Sequence, residues 1–166
     1  MRILQLIDTL RPGGAERMAV SYANLLSKNG MNSYLCCTRE EGELKSQLNS
    51  EVGYLFLDKK NSIDFKALNK LRKFIVKNKI NIVQAHSSSF FFAALLRSIG
   101  TTFKLVWHDH YGESELLDER KNILLTKFSR YFDGIIAVNE KLKEWAILNL
   151  KSKNVVFINN FISNHK

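Results

Sequence analysis

The chain is poor in the residues that interrupt or cross-link a fold. It has one proline and two cysteines in 166 residues, and the cysteines, Cys36 and Cys37, are neighbours in the sequence. Adjacent residues of a strand point to opposite faces, so a disulfide between these two would be strained. We expect both thiols to be reduced and neither to bind a metal.

Long hydrophobic runs are also absent. The longest, from Phe90 to Leu96, is far shorter than the ~20 residues that a transmembrane helix needs. Near the N-terminus, Asp8 and a Gly-Gly pair interrupt the first apolar stretch before it reaches the length of a secretory signal. We therefore expect a cytoplasmic location.

Several cofactor and nucleophile motifs are missing as well. The turn after the first apolar segment reads P-G-G-A-E-R, without the G-x-G-x-x-G spacing of a nicotinamide dinucleotide site, and no P-loop occurs. A G-x-S-x-G nucleophile elbow is absent, which argues against a hydrolase of that type. A phosphoacceptor receiver domain would need several carboxylates after its first strand, where only Asp8 stands. No cofactor is predicted.

Basic residues are in excess, and the formal net charge is +9. Such a surface attracts polyanions, whether nucleic acid, anionic lipid or phosphorylated small molecules. Four of the basic residues recur along one side of a predicted helix: Lys66, Lys70, Lys73 and Lys77. They form either a solvated helix face or a contact with an anionic membrane. No recognised nucleic-acid module occurs, so specific nucleic-acid binding is not predicted.

Short apolar segments alternate with amphipathic segments along the whole chain. Strands are predicted at 3–8, 33–38, 54–57, 80–85, 103–107, 133–138 and 155–158. Helices are predicted at 15–28, 63–78, 90–96, 116–131 and 140–150, with a short helix or loop at 40–50. This alternation implies right-handed crossovers and a mainly parallel sheet. The predicted fold is a single Rossmann-like, doubly wound α/β domain with helices on both faces.

Polar residues follow four of the predicted strands. They are Gly13 and Gly14 after the first, His86 and Ser87 after the fourth, His108, Asp109, His110 and Tyr111 after the fifth, and Asn139 and Glu140 after the sixth. Ligands of doubly wound sheets bind beyond the carboxyl ends of the strands, so we expect a shared cleft. The helix that begins at the glycine pair offers free N–H groups to a phosphate or carboxylate. Alternatively, the turn needs glycine only for its left-handed or crowded backbone geometry.

The histidines after the fifth strand allow three interpretations. In an extended segment His108 and His110 face one way and Asp109 faces the other. A zinc pair is one interpretation, but no acidic or cysteine partner stands at a recognisable spacing, and no metal site is predicted. An imidazole with a pKa near neutrality that binds a sugar or acceptor hydroxyl and moves a proton is the second. A loop histidine held by packing is the third.

Five sequence blocks resemble a known family. They read M-R-I-L-Q-L-I-D-T-L-R-P-G-G-A-E-R, N-I-V-Q-A-H-S, L-V-W-H-D-H, G-I-I-A-V-N-E-K-L and V-V-F-I-N-N-F-I. In this order and spacing they resemble the N-terminal half of a glycosyltransferase family 4 enzyme of GT-B architecture. The resemblance implies two Rossmann-like domains that face each other across a cleft. The N-terminal domain would mainly hold a sugar or lipid-linked acceptor, the C-terminal domain would bind the nucleotide sugar, and transfer would proceed with retention and without a metal.

The resemblance also implies roles for particular residues. Gly13 and Gly14 would approach the donor diphosphate, and His108 would lie beside the transferred sugar as a catalytic residue. Together with the strand-end pattern, it places these further residues in the cleft: Glu16, Arg17, His86, Ser87, Asp109, His110, Tyr111, Asn139 and Glu140. Two positions depart from the family, namely Asn139, where Ser is usual, and 158–161, which read I-N-N-F instead of containing Pro-Asn-Gly.

The chain ends where the donor-binding domain of that family would begin. We therefore expect residues 1–158 to form the acceptor-side domain, residues 159–166 to begin the interdomain connector, and the chain alone to transfer no sugar. The longer enzyme would serve cell-surface polysaccharide or glycoconjugate synthesis, in the cytoplasm or at the inner membrane face. Two other classes stay open, a non-catalytic module for a phosphorylated ligand and a basic module for a membrane surface or nucleic acid.

Overall fold

The central feature of the molecule is one seven-stranded sheet. The computed structural model describes residues 1–112, 117, 120 and 123–160. The strands are β1 (Arg2–Thr9), β2 (Asn32–Glu40), β3 (Gly53–Phe56), β4 (Ile82–His86), β5 (Lys104–Asp109), β6 (Gly134–Ala137) and β7 (Val155–Phe157). Every neighbouring pair is parallel. The predicted Rossmann-like, doubly wound α/β fold is confirmed, with strand ends within two residues of those expected.

Helices connect the strands as predicted. They are α1 (Gly14–Lys28), α2 (Phe65–Lys77), α3 (Phe90–Ser98), α4 (Ile123–Phe128) and α5 (Glu140–Asn149), with 3-10 turns at Glu43–Gln47, Ser87–Ser89 and Ser129–Tyr131. None of the described helices is both long and apolar enough to cross a bilayer. Most of the predicted helix N-terminal to α4, and residues 161–166 of the predicted connector, lie outside the described residues.

The order of the strands creates a switch point between β1 and β4. Across the sheet the order is β3-β2-β1-β4-β5-β6-β7, so the chain winds one way from β1 and the opposite way from β4. The loops after β1 and β4 therefore diverge to opposite faces and leave a crevice at the carboxyl edge. The glycine turn follows β1, and His86 is the last residue of β4.

The sheet is buried because its central strands are almost continuously apolar. Leu4 and Leu6 of β1 join the larger core, to which α2, α3 and α5 contribute, and Ile7 joins the smaller core beneath α1. None of the residues of the apolar run at 90–96 is exposed, as predicted for α3. The spacing of Phe65 with Leu68, Leu71 and Ile75 predicts it on the packed side of its helix, but Phe65 is 80% exposed. It is the first residue of α2, after exposed loop residues, and so lies beyond the part of the helix that packs on the sheet.

Strand β5 runs two residues further than predicted, which changes the setting of His108. The sequence places His108 and Asp109 in a loop, but both belong to the strand. His108 pairs with His86 of β4 and with Ile136 of β6. Backbone pairing on both sides extends the strand, and His108 is therefore held by the sheet.

The chain just before the glycine turn is held by the loop after β2. The Leu10 N–H donates to the Glu40 carbonyl at 3.1 Å, and the Leu44 N–H donates to the Leu10 carbonyl at 3.1 Å. Gly42 lies so close to the Leu10 backbone that an added Cβ would overlap it. The absent side chain at Gly42 thus allows the close approach that positions the turn.

We expect Gly42→Ala to lower the free energy of unfolding by about 1–3 kcal/mol, because the methyl group meets backbone atoms that cannot rotate away. Urea unfolding measures the change. Gly14→Ala is the matched control, since an added Cβ there meets nothing within 4 Å and alanine favours the helix. Equal stability of the two variants would contradict the close approach at Gly42.

Candidate functional site

A cleft opens at the carboxyl edge of the sheet. Its larger part has a volume of about 680 Å³ and is lined by Ser87, Ser88, Phe90, Trp107, Asp109, His110, Tyr111, Gly112, Arg120, Leu124 and Leu125. An adjoining part of about 490 Å³ is lined by Asp8, Arg39, Lys59, Ser62, Ser88, Phe90, Phe91 and Leu124. Ser88, Phe90 and Leu124 border both parts. Of the predicted site residues, Ser87, Asp109, His110 and Tyr111 line the cleft, whereas Gly13, Gly14, His86 and His108 are not among its lining residues.

Three histidines form a cluster on the α1 side of this edge. The ring centres of His108 and His110 are 4.0 Å apart, and the His86 ring lies 5.1 Å from His108 and 5.3 Å from His110. Tyr22 of α1 packs edge-on against His108 at 5.6 Å. His86 and His108 are fully buried. The packing of α1 on the sheet thus closes the cluster on one side.

Two buried glutamines connect the histidines. Gln5 Oε1 lies 2.7 Å from His86 Nε2, Gln84 Nε2 lies 3.0 Å from His108 Nδ1, and Gln5 Nε2 donates to Gln84 Oε1 at 3.3 Å. His86 Nδ1 is 3.0 Å from His110 Nε2. Sequence reasoning missed both glutamines. Their signal was a polar residue in the middle of each of two otherwise apolar strands, a position where a buried polar group needs a partner.

Burial keeps these imidazoles neutral. Desolvation is the main cause, with a smaller effect of the neighbouring histidine, and together they lower the pKa of His108 to about 3. Desolvation lowers the pKa of His110 to about 4. It also lowers the pKa of His86 well below the ordinary value. The expectation of an imidazole with a pKa near neutrality is wrong, because the strand and α1 remove these rings from water.

The three histidines are near enough to share a metal ion, since one ring nitrogen of each lies within 4.8 Å of the others. Spacing along the chain did not reveal His86 as the third member, because it comes from β4. In the observed conformation both nitrogens of His86 are hydrogen-bonded. A metal ion bound to His86 would have to replace one of these two hydrogen bonds.

Asp109 points to the opposite side of the sheet from His108, as the strand periodicity predicts. Its two carboxylate oxygens accept from Arg120 Nη1 and Nη2 at 2.7 and 2.9 Å, and both side chains are buried. The Arg120 guanidinium lies 4.4 Å from the ring centres of Tyr111 and Trp145. Asp109 and Tyr111 therefore line the cleft, but the charge of Asp109 is neutralised by a bidentate partner.

The glycine turn has a different geometry from the one expected. Gly13 is extended, with φ −158°, and Gly14 is the first helical residue, so neither needs a left-handed backbone. No side chain caps the helix at Gly13, and Gly14 has open space where a side chain would be. Both features suit approach of an anion to the first turn. The Glu16 carboxylate already lies over Gly13, so an incoming phosphate would have to displace it.

The other predicted site residues differ in their surroundings. Arg17 is exposed on α1. Ser87 lies in the cleft with φ 49°, a conformation rare for a residue with a side chain, and its carbonyl accepts from Trp107 Nε1 at 2.9 Å. Asn139 caps α5 through Leu142 N at 2.8 Å, and Glu140 is paired with Lys143 at 3.0 Å. Neither Asn139 nor Glu140 borders the two cleft parts described above.

Asp8 organises the second part of the cleft, which sequence reasoning did not foresee. Its carboxylate accepts from Thr38 Oγ1 at 2.5 Å and from Ser88 Oγ at 2.7 Å. Lys59 Nζ is 3.7 Å from Asp8 Oδ1, and Lys59 is only 6% exposed. The sequence signal was weak, because the partners of Asp8 come from three other segments.

We expect the free energy of unfolding to fall as the pH falls from about 6.5 towards 4. The unfolded chain protonates its histidines near pH 6.5 while the buried ones stay neutral, so each contributes a loss of up to about 2 kcal/mol by pH 5. Urea unfolding at several pH values measures the slope. In His110→Gln the dependence of the free energy of unfolding on pH should be weaker, by an amount that corresponds to about one proton. Equal stability of the wild-type chain at pH 7 and pH 5 would contradict burial of the histidines in the neutral form.

Comparison with solved structures identifies the fold. HepE of Anabaena in complex with UDP has a TM-score of 0.72 at 17% identity, covering 96% of this chain and 44% of that protein. A glycosyltransferase of Rickettsia africae has a TM-score of 0.67 at 19% identity, covering 95% and 42%. The lipopolysaccharide outer core galactosyltransferase WaaB has a TM-score of 0.63 at 16% identity, covering 98% and 46%. The chain thus has the Rossmann-like fold of a GT-B N-terminal domain and spans less than half the length of these proteins.

Sequence comparison identifies the family. No curated protein sequence matches the chain at a significant level. The family model for Glycosyltransferase Family 4 matches residues 12–165, which include the glycine turn, all three clustered histidines and every strand after β1. This confirms the family that the five sequence blocks indicated. The chain belongs to Glycosyltransferase Family 4.

Proposed function

We propose that residues 1–158 are the acceptor-side domain of a retaining glycosyltransferase that transfers a sugar from a nucleotide sugar to a glycan or lipid-linked acceptor. The observation that carries this proposal is the position of the histidine cluster. His86 is the last residue of β4, at the switch point, and its register partner His108 is the penultimate residue of β5. His110 borders a cleft of about 680 Å³ that is large enough for a sugar ring, and the buried rings of His86 and His108 pack against His110.

The donor side of the proposal rests on the start of α1. HepE of Anabaena has been solved with UDP and with UDP-glucose. In this chain the uncapped N-terminus of α1 and the open space at Gly14 suit a diphosphate. Binding would require the Glu16 carboxylate to turn away from Gly13. Most donor contacts would come from a C-terminal domain that faces this one.

The chemistry that these residues support is stabilisation of charge by neutral hydrogen-bonding groups. His108 is held by the sheet and stays neutral at pH 7, so its imidazole binds a hydroxyl of the transferred sugar or acceptor without adding a charge. Preorganised donors that need no rearrangement are the most effective stabilisers of a transition state. We propose that no metal ion takes part in the transfer.

We expect His108→Ala to lower turnover by on the order of 100-fold in a protein in which these residues are joined to their donor-binding domain, since one preorganised contact to the reacting sugar is lost. Sugar transfer from a radiolabelled nucleotide sugar measures the rate. Proton NMR of the product reports the anomeric configuration, which should equal that of the donor.

Two controls accompany this measurement. Circular dichroism and thermal unfolding of His108→Ala should show a folded protein, so that a lower rate is not caused by unfolding. The 166-residue chain alone should transfer no sugar. Normal turnover of His108→Ala would remove His108 from the mechanism, and transfer by the chain alone would show that it is more than an acceptor-side domain. Binding of a phosphorylated ligand without transfer in the joined protein would favour the non-catalytic alternative.

We propose a role in cell-surface polysaccharide or glycoconjugate synthesis at the cytoplasmic side of the membrane. WaaB, one of the structural neighbours, is a lipopolysaccharide galactosyltransferase by name. The exposed face of α2 supports a membrane contact. Phe65 is 80% exposed and Val76 is 65% exposed, and the helical period places both beside Lys66, Lys73 and Lys77.

We expect the triple variant Lys66→Gln, Lys73→Gln, Lys77→Gln to bind vesicles that contain anionic lipid roughly 100-fold more weakly, because each lysine near the surface adds about 1 kcal/mol. Vesicle sedimentation measures the partition coefficient. Lys70 is left in place because its Nζ donates to the Phe56 carbonyl at 2.6 Å. The charge-matched control is Lys28→Gln, Lys104→Gln, Lys153→Gln, with exposed lysines elsewhere. An equal loss of vesicle binding in both variants would indicate general charge attraction. Binding of the wild-type chain to DNA as strong as its binding to the vesicles would favour the nucleic-acid alternative.

A further inference from the structure

The five side chains of the histidine cluster and its glutamines form one unbranched hydrogen-bonded chain. In spatial order its members are His110, His86, Gln5, Gln84 and His108, joined at 3.0, 2.7, 3.3 and 3.0 Å. Members come from β1, β4, β5 and the residue after β5. Each glutamine has one amide oxygen, which only accepts, and one amide nitrogen, which only donates. The chain of bonds therefore has a direction.

The direction assigns the proton on each ring. Gln5 Oε1 accepts, so His86 carries its proton on Nε2 and accepts at Nδ1 from His110 Nε2–H. At the other end Gln84 Nε2 donates, so His108 accepts at Nδ1 and carries its proton on Nε2. These assignments hold for neutral rings, and burial keeps all three neutral.

We propose that Gln5 and Gln84 are positioning residues that hold His108 as the tautomer with a proton on Nε2. His108 then presents a hydrogen-bond donor and not a base. At the opposite end His110 keeps an acceptor at Nδ1. Both terminal atoms, His108 Nε2 and His110 Nδ1, are buried and lack a hydrogen-bond partner among the described residues.

The two terminal atoms have complementary chemistry on rings whose centres are 4.0 Å apart. A hydroxyl group both accepts and donates, so one hydroxyl can accept from His108 Nε2–H and donate to His110 Nδ1. A carboxylate or phosphate oxygen only accepts and would leave His110 unsatisfied. The hydrogen-bonded chain of five side chains thus favours a hydroxyl-bearing ligand. The tautomer assignment is independent of the proposed function, and only the identity of the hydroxyl as that of a sugar rests on it.

Reversal of both amides together would give the opposite assignment. Gln84 would then accept from His108 Nδ1–H, and His108 Nε2 would become a base. The two glutamines are bonded to each other, so one amide cannot turn without the other. The two directions therefore make opposite and measurable statements about His108.

Nitrogen NMR of the 166-residue chain decides between them. In a long-range proton–nitrogen spectrum of histidine-labelled protein at pH 7, we expect His108 Nε2 to be protonated and its Nδ1 to be unprotonated. His86 should show the same pattern as His108. A protonated Nδ1 on His108, or a mixture of both forms, would overturn the proposal, and the wild-type spectrum alone gives this answer. Failure of sugar transfer in the longer protein would leave the tautomer result unaffected.

A charge-for-amide change tests the part played by Gln84. In Gln84→Glu the carboxylate only accepts, so we expect the His108 proton to move to Nδ1 while the fold is retained. Gln47→Glu is the matched control, since Gln47 is exposed outside the cluster and should leave the His108 signals unchanged. An unchanged His108 tautomer in folded Gln84→Glu would show that Gln84 does not set it. If that variant does not fold, Gln84→Met should give a mixture of tautomers, and an unchanged spectrum would count against the proposal.

Discussion

The constraint on which the site depends is the need to pair polar groups inside a buried sheet. Gln5 and Gln84 sit in central strands with apolar neighbours, where an unpaired amide would be costly. Parallel pairing places them side by side, since Gln5 and Gln84 are register partners. Among the described residues, the side chains of Gln5 and Gln84 form hydrogen bonds with each other and with the two buried histidines, His86 and His108. The need to pair these two buried amides thus fixes the positions of His86 and His108.

The two faces of β5 separate two kinds of chemistry. On the α1 face, His108 and His110 are neutral rings in a hydrogen-bonded chain. On the other face, Asp109 holds Arg120 in a buried bidentate ion pair that packs against aromatic rings. Because strand side chains alternate, charge and neutral donors stand one residue apart without meeting. The cleft is therefore bordered by the neutral ring of His110 and by the ion pair of Asp109 with Arg120.

Backbone contacts fix the position of the residues at the candidate site. Gly42 and Leu10 join the loops after β1 and β2, and this contact holds the chain that leads to the glycine turn. His108 is fixed by backbone pairs on both sides. A side chain in a strand moves less than one in a loop, which suits the proposed mechanism of preorganised hydrogen bonds.

The fold and the family were predictable from the sequence, because apolar period and motif spacing are local properties of the chain. Of the four strand ends expected to form the cleft, the end of β6 does not border it. The contacts between side chains from different strands were not predictable in this way. His86 joins His108 and His110 only because β4 lies beside β5, and Gln5 meets Gln84 only because β1 lies beside β4. The neutral state of the histidines also needed the tertiary structure, since their pKa depends on how much water the packing of α1 and the sheet removes. The hydrogen bonds and pKa values of these residues depend on their neighbours in space. The order of the strands in the sheet decides which residues become neighbours.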